Sequence, residues 1–166
     1  MKKTVVVLVL TLGMVFAAVS AYAAGTTTVG VSATISSVCK FDGTPSAVAL
    51  TIDPTGVGAV TGTSTAKLLC TTGQTGIQFA VSGSGDGLTT FNVGATGGSG
   101  AAHMTSGVNT LNYTASFTAL SGTTGLGFTS PTDDLSSSLT VSVAQADYSV
   151  AAAGTYNDTL TLTANY

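Results

Sequence analysis

Thr26–Ser36 reads TTTVGVSATIS, and in it Val29, Val31, Ala33 and Ile35 alternate strictly with Thr28, Gly30, Ser32, Thr34 and Ser36. A period of two puts all four apolar side chains on one face of an extended chain. The segment stands just ahead of the first cysteine, Cys39. What flanks it decides where such a strand finds its partner.

Upstream, Met1-Lys2-Lys3 supplies a positive start, Thr4 to Ser20 is an uncharged run rich in Val, Leu, Met and Ala, and Ala21-Tyr22-Ala23 is a small-x-small site. The three together read as a secretory signal peptide over residues 1–23. A membrane span is the rival, since the run is almost long enough to cross a bilayer. No positive cluster follows to stop transfer, which favours cleavage after Ala23. The remaining 143 residues are one domain's worth.

Beyond the leader only Lys40 and Lys67 are cationic, against seven aspartates, with no Arg and no Glu. The mature net charge is therefore about −5, which argues against nucleic acid or anionic lipid as a partner. Charged residues make up 7% of the chain, far too few for a disordered acidic tail. The abundance of Thr, Val, Ala, Ser and Gly points to β structure with many turns. Solubility then depends on hydroxyl groups, a surface suited to an assembled or extracellular object.

Cys39 and Cys70 are the only cysteines. In an exported chain an even pair is most simply a disulfide, because a metal site needs more ligands and the one histidine, His103, is distant. Closing a loop of about 32 residues restricts the unfolded chain by roughly 3.5 to 4 kcal/mol in the chain-entropy model.

Past Cys39, alternation recurs at short spacing. Val48, Leu50 and Ile52 lead to an Asp53-Pro54 turn; Ala66, Leu68 and Cys70 form a second run, and Ile77, Phe79 and Val81 a third. Gly83–Gly100 is Gly- and Ser-rich and reads as a long loop or weak hairpin. Then Leu111, Tyr113, Ala115, Phe117 and Ala119 share a face, Leu139, Val141 and Val143 another, and Tyr156, Asp158, Leu160, Leu162, Ala164 and Tyr166 a last one. No run of helical period reaches helix length, so the expected class is all-β, a sandwich of half-buried strands.

Catalytic chemistry finds little support. His103 could be paired on paper with many serines, but no nucleophile elbow is present, and a lone histidine in a polar loop is ordinarily solvated. Ser82-Gly83-Ser84-Gly85-Asp86-Gly87 has the look of one glycine-aspartate calcium repeat, yet it is unrepeated and reads better as a Gly-rich turn. Asp133-Asp134 reads as a solvated turn. The expectation is a protein that is not an enzyme, with no catalytic residues, no metal site and no cofactor.

Cys39, Cys70, Met104 followed by Leu111-Asn112-Tyr113, and the ending Gly154-x-Tyr156-x-Asp158-Thr159-x-x-x-Thr163-x-x-Tyr166 resemble the spore coat protein U family, which includes the major pilins of archaic chaperone–usher pili. The likeness covers nearly all of the mature chain. It departs at Ala102, where the family often has Arg, and at Leu126-Gly127, where it often has Trp-Gly.

The resemblance implies an incomplete immunoglobulin-like β-sandwich lacking its final strand and completed by donor-strand complementation. A periplasmic chaperone would lend a strand first, and the N-terminal segment of the next subunit would replace it. Residues 24–37 would be the donor segment, with Val29, Val31, Ala33 and Ile35 as its knobs, and 38–166 the pilin domain. Leu160, Leu162, Ala164 and Tyr166 would form the edge strand of the acceptor groove. The expected partners are copies of the chain itself, the chaperone, an outer-membrane usher and a possible tip adhesin. The expected location is the cell surface, reached through the periplasm, as an extracellular pilus or fibre serving adhesion or biofilm formation. The alternative is a non-polymeric adhesin or spore-coat-type binding module with the same fold.

Overall fold

The computed structural model describes residues 27–84, 87–129, 132 and 134–166; the signal-peptide reading lies outside the described residues, as do Gly85, Asp86 and Asp133. The chain divides into two units, Met1–Thr34 and Ile35–Tyr166. In the first, the described residues form no strand and all are exposed, Val29 at 81% and Val31 at 91%.

Among its described residues the second unit is mostly β, with one short α-helix. Its elements are β1 (Cys39–Phe41), β2 (Val60–Cys70), β3 (Gln78–Gly83), β4 (Phe91–Val93), β5 (Gly98–Ser106), β6 (Asn109–Phe117), β7 (Leu135–Val143), α1 (Gln145–Tyr148) and β8 (Leu160–Asn165). They form a five-stranded sheet in the order β1-β2-β7-β6-β5 and a three-stranded sheet in the order β4-β3-β8, with every pairing antiparallel. Gly107 takes a φ of 62° in the two-residue turn between β5 and β6, where a side chain would be strained.

Period-two patterning places the core. On β6 Leu111, Tyr113, Ala115 and Phe117 are buried, and on β7 Leu135, Leu139, Val141 and Val143; Phe79 and Val81 of β3 face them from the other sheet. Phe79 is fully buried, with edge-on contacts to Phe117 at 5.3 Å and to Phe41 at 6.0 Å between ring centroids. One aromatic side chain thus joins the two sheets, and its burial contributes about 1.5–3 kcal/mol.

The outer face of the five-stranded sheet is different in kind. Thr63 of β2 stands opposite Thr140 of β7, Thr140 opposite Ser116 of β6, and Ser116 opposite Ser99 of β5. A second row runs Thr61, Ser142, Thr114 and Ala101. Hydroxyl side chains therefore line up in rows, the first across four strands and the second across three.

Several expectations need correction. Val48–Ile52 keeps its alternation, with Val48, Leu50 and Ile52 half-buried, but it pairs with no strand. The strand through Leu111 stops at Phe117, and Ala119 is exposed. Gly83–Gly100 is not one loop: it holds β4 and the start of β5. There Leu88 and Phe91 pack so close to Gly100 and Gly98 that a Cβ at either position would clash. His103 lies half-buried on β5, not in a polar loop, with its ring against Gly87. Asp134 is not a solvated turn residue: its side chain is 6% exposed and accepts from Lys67 Nζ at 2.9 Å.

Candidate functional site

Cys39 and Cys70 are directly opposite in the β1–β2 ladder and form the disulfide that the cysteine count suggests. The bridge points to an oxidising, non-cytoplasmic compartment. Next to it, the Thr71 hydroxyl accepts from the Val38 N–H at 2.9 Å and lies 3.2 and 3.4 Å from the Val38 and Ser36 carbonyls. Thr71 N–H also donates to the Val38 carbonyl at 2.9 Å. The chain is fastened at Ser36–Val38, immediately after the alternating segment.

β8 continues the alternation read from Gly154 onward, but ladder pairing begins only at Leu160. The approach to it exchanges hydrogen bonds with the other sheet instead, Asn157 and Thr105 each donating its N–H to the other's carbonyl at 3.0 Å. From Leu160 the strand pairs with β3, with Leu162 opposite Val81 and Ala164 opposite Phe79, so all three apolar residues point inward. No described strand pairs with the other edge of β8. Tyr166 lies beyond the strand and is 53% exposed.

Beside that free edge opens a cleft of about 1170 Å³. One wall is β8, through Leu160 and Leu162; the other is the unpaired stretch 43–52, through Val48 and Leu50; the floor includes Ala66, Leu111, Phe117, Leu139 and Val141. The stretch 43–52 lies close against β2, where small side chains leave it room. A Cβ on Gly62 would come within 2.6 Å of Val48 and 2.7 Å of Leu50, and Ser64 Oγ donates to the Ser46 carbonyl at 2.7 Å. The second layer therefore has an unpaired extended wall on one side, β8 on the other, and a gap between them.

Polar side chains close the ends. Tyr113 donates to Asp158 Oδ2 at 2.6 Å, Ser84 donates to Asp158 Oδ1 at 3.1 Å, and the Thr159 N–H donates to Oδ1 at 2.7 Å. Burial first, and then the Asp158 carboxylate, push the Tyr113 hydroxyl well above the ordinary tyrosine value of 10.0. Elsewhere on the rim, Tyr148 donates to the Gly58 carbonyl at 2.7 Å, and Gln145 both donates to the Gly56 carbonyl and accepts from the Gly58 N–H, each at 3.1 Å.

The cleft exceeds the usual range of small-ligand pockets, roughly 300–1,000 Å³, and its floor carries no converging acid, base and nucleophile. A second, shallower cleft of about 420 Å³ lies by Asn112 and Asp147, which are hydrogen-bonded to each other at 2.9 Å. Among the described residues no three His, Cys, Asp or Glu side chains gather as metal ligands.

The sequence reading singled out Leu160 and Leu162, which line the cleft, and Ala164, which faces the core beside it. It missed the opposite wall, although the alternation of Val48, Leu50 and Ile52 was visible, and it gave no role to Asp158 or Tyr148. No family model, no curated protein and no solved structure matches this chain.

Proposed function

We propose that this chain is the structural subunit of an extracellular fibre, an immunoglobulin-like sandwich lacking its final strand, in which residues 26–36 of one copy fill the cleft of the next. The observation that carries the reading is the free inward-facing edge of β8 beside an apolar gap, walled on its far side by unpaired chain. Such an edge is a template for strand addition and a liability when bare. The sequence supplies a matching piece. Val29 to Ile35 spans about 20 Å when extended, close to the length of β8, and offers an apolar residue at every second position. Its valines and Ile35, which is 84% exposed, lack cover in the single chain.

Export by the N-terminal leader, a periplasmic chaperone that fills the cleft before assembly, and an outer-membrane usher complete the proposal. The resemblance to archaic pilins and the disulfide support that route. The test places a charge on each face of the segment. Val31→Asp buries an unpaired carboxylate in the neighbour's cleft, at a cost of several kcal/mol, and abolishes polymers on unboiled SDS gels. Ser32→Asp, on the opposite face, leaves polymers largely intact. Both variants still fold on the chaperone, because their own segment is idle there. Polymers unaffected by Val31→Asp would make the segment an ordinary part of its own subunit and remove the proposal.

A further inference from the structure

We propose that the outer face of the five-stranded sheet is a self-association surface, through which copies of this chain in neighbouring fibres stack face to face; the lateral role rests on the fibre reading above. The row Thr63, Thr140, Ser116 and Ser99 crosses four adjacent strands in register. Hydroxyls both donate and accept, so this lattice complements itself, as a two-fold contact between identical patches requires.

The composition of the face speaks against other occupants. Its two lysines stand at one edge and are both engaged, Lys67 with Asp134 and Lys40 with its ammonium 5.4 Å from the centre of the Phe128 ring. That leaves little to attract a nucleic acid or an anionic membrane. The four strands point no Tyr, Trp or Arg outward, the residues that anchor most interfaces with a different protein, and the one outward ring, the imidazole of His103 at the β5 edge, lies half-buried against Gly87. The rows themselves carry no charged side chain, so the contact sets no like charges directly opposite one another.

Size then sets the strength. Four strands of about nine residues cover roughly 30 by 19 Å, so two faces together bury about 1,100 Å². That falls just below the 1,200–2,000 Å² of stable interfaces. One pair of subunits holds weakly, whereas a row of copies along a fibre gains by multivalency.

The test displays the full secreted chain on gold particles through its C-terminus and follows clustering by light scattering. A Val31→Asp background stops strand exchange, so the outcome is independent of whether the fibre reading holds. Particles carrying the unaltered face cluster at concentrations about 100-fold below those needed for Thr63→Lys/Ser116→Lys particles, and clustering persists in 1 M salt. Thr63→Asp/Ser116→Asp particles also stay dispersed alone, but co-cluster when mixed with the lysine particles, which guards against a folding defect in either variant. Absence of clustering, equal clustering by the lysine variant, dispersal of the unaltered particles by salt, or no rescue on mixing would each overturn the proposal.

Discussion

Tyr113 on β6 and Asp158 ahead of β8 meet through a 2.6 Å hydrogen bond, tying the five-stranded sheet to the chain that enters the three-stranded one. The phenol is buried and the carboxylate is its acceptor, so the neutral tyrosine is the form that the folded state holds. A raised tyrosine pKa means that the folded chain keeps its proton longer than the unfolded chain. The associated stability is fully present below about pH 10 and is lost as pH rises above it toward the folded-state value. Urea unfolding between pH 7 and pH 11 should show a steep alkaline decline. Tyr113→Phe should cost about 1.5–3 kcal/mol at pH 7 and flatten that decline; an unchanged alkaline limb in the variant would place its origin elsewhere.

The disulfide fastens a strand of three residues at the sheet edge, alongside the β1–β2 ladder and the packing of Phe41 on Phe79. Cys70→Ser should lower stability by about 2–5 kcal/mol. It should also release Ser36–Phe41, because the Thr71 contacts lie next to the lost bridge. Limited proteolysis would read this as new cleavage near residue 40 with β6 and β7 still protected. An unaltered cleavage pattern would show that Thr71 and the β1–β2 ladder suffice.

Gly62 sets the position of the cleft's far wall. In Gly62→Val the Cβ would press on Val48 Cγ1 and Leu50 Cδ2, and because 43–52 pairs with no strand the wall should move rather than the fold fail. The expected loss is about 1–3 kcal/mol, with faster amide hydrogen exchange in 46–52 than in β6. Equal protection across both regions would show that the wall does not depend on close approach at this position.

Strand alternation was legible wherever inward positions carry large side chains, as at Leu111, Tyr113 and Phe117, or Leu139, Val141 and Val143. It was illegible where the facing layer supplies the bulk. Between Val60 and Ala66 the inward residues of β2 are Gly62 and Ser64, because Val48 and Leu50 lie over the glycine and Ser46 bonds the serine. Those of early β5 are Gly98 and Gly100, because Phe91 and Leu88 lie over them. A strand packed beneath large neighbours must itself be small, which erases its hydrophobic period. The contacts of Asp134 and His103 join residues distant in sequence, and no local pattern announces them.

Lys40 and Lys67 sit in the β1–β2 pair, Lys40 with its ammonium 5.4 Å from the centre of the Phe128 ring and Lys67 bound to Asp134. Beyond residue 23 the chain thus offers trypsin only two target bonds, both inside a hydrogen-bonded ladder. Even a chain cut at both would not come apart readily, since the outer two pieces remain joined through Cys39 and Cys70. The scarcity of cations therefore also leaves proteases that cut after lysine or arginine little to act on, and the disulfide limits what their cuts could release.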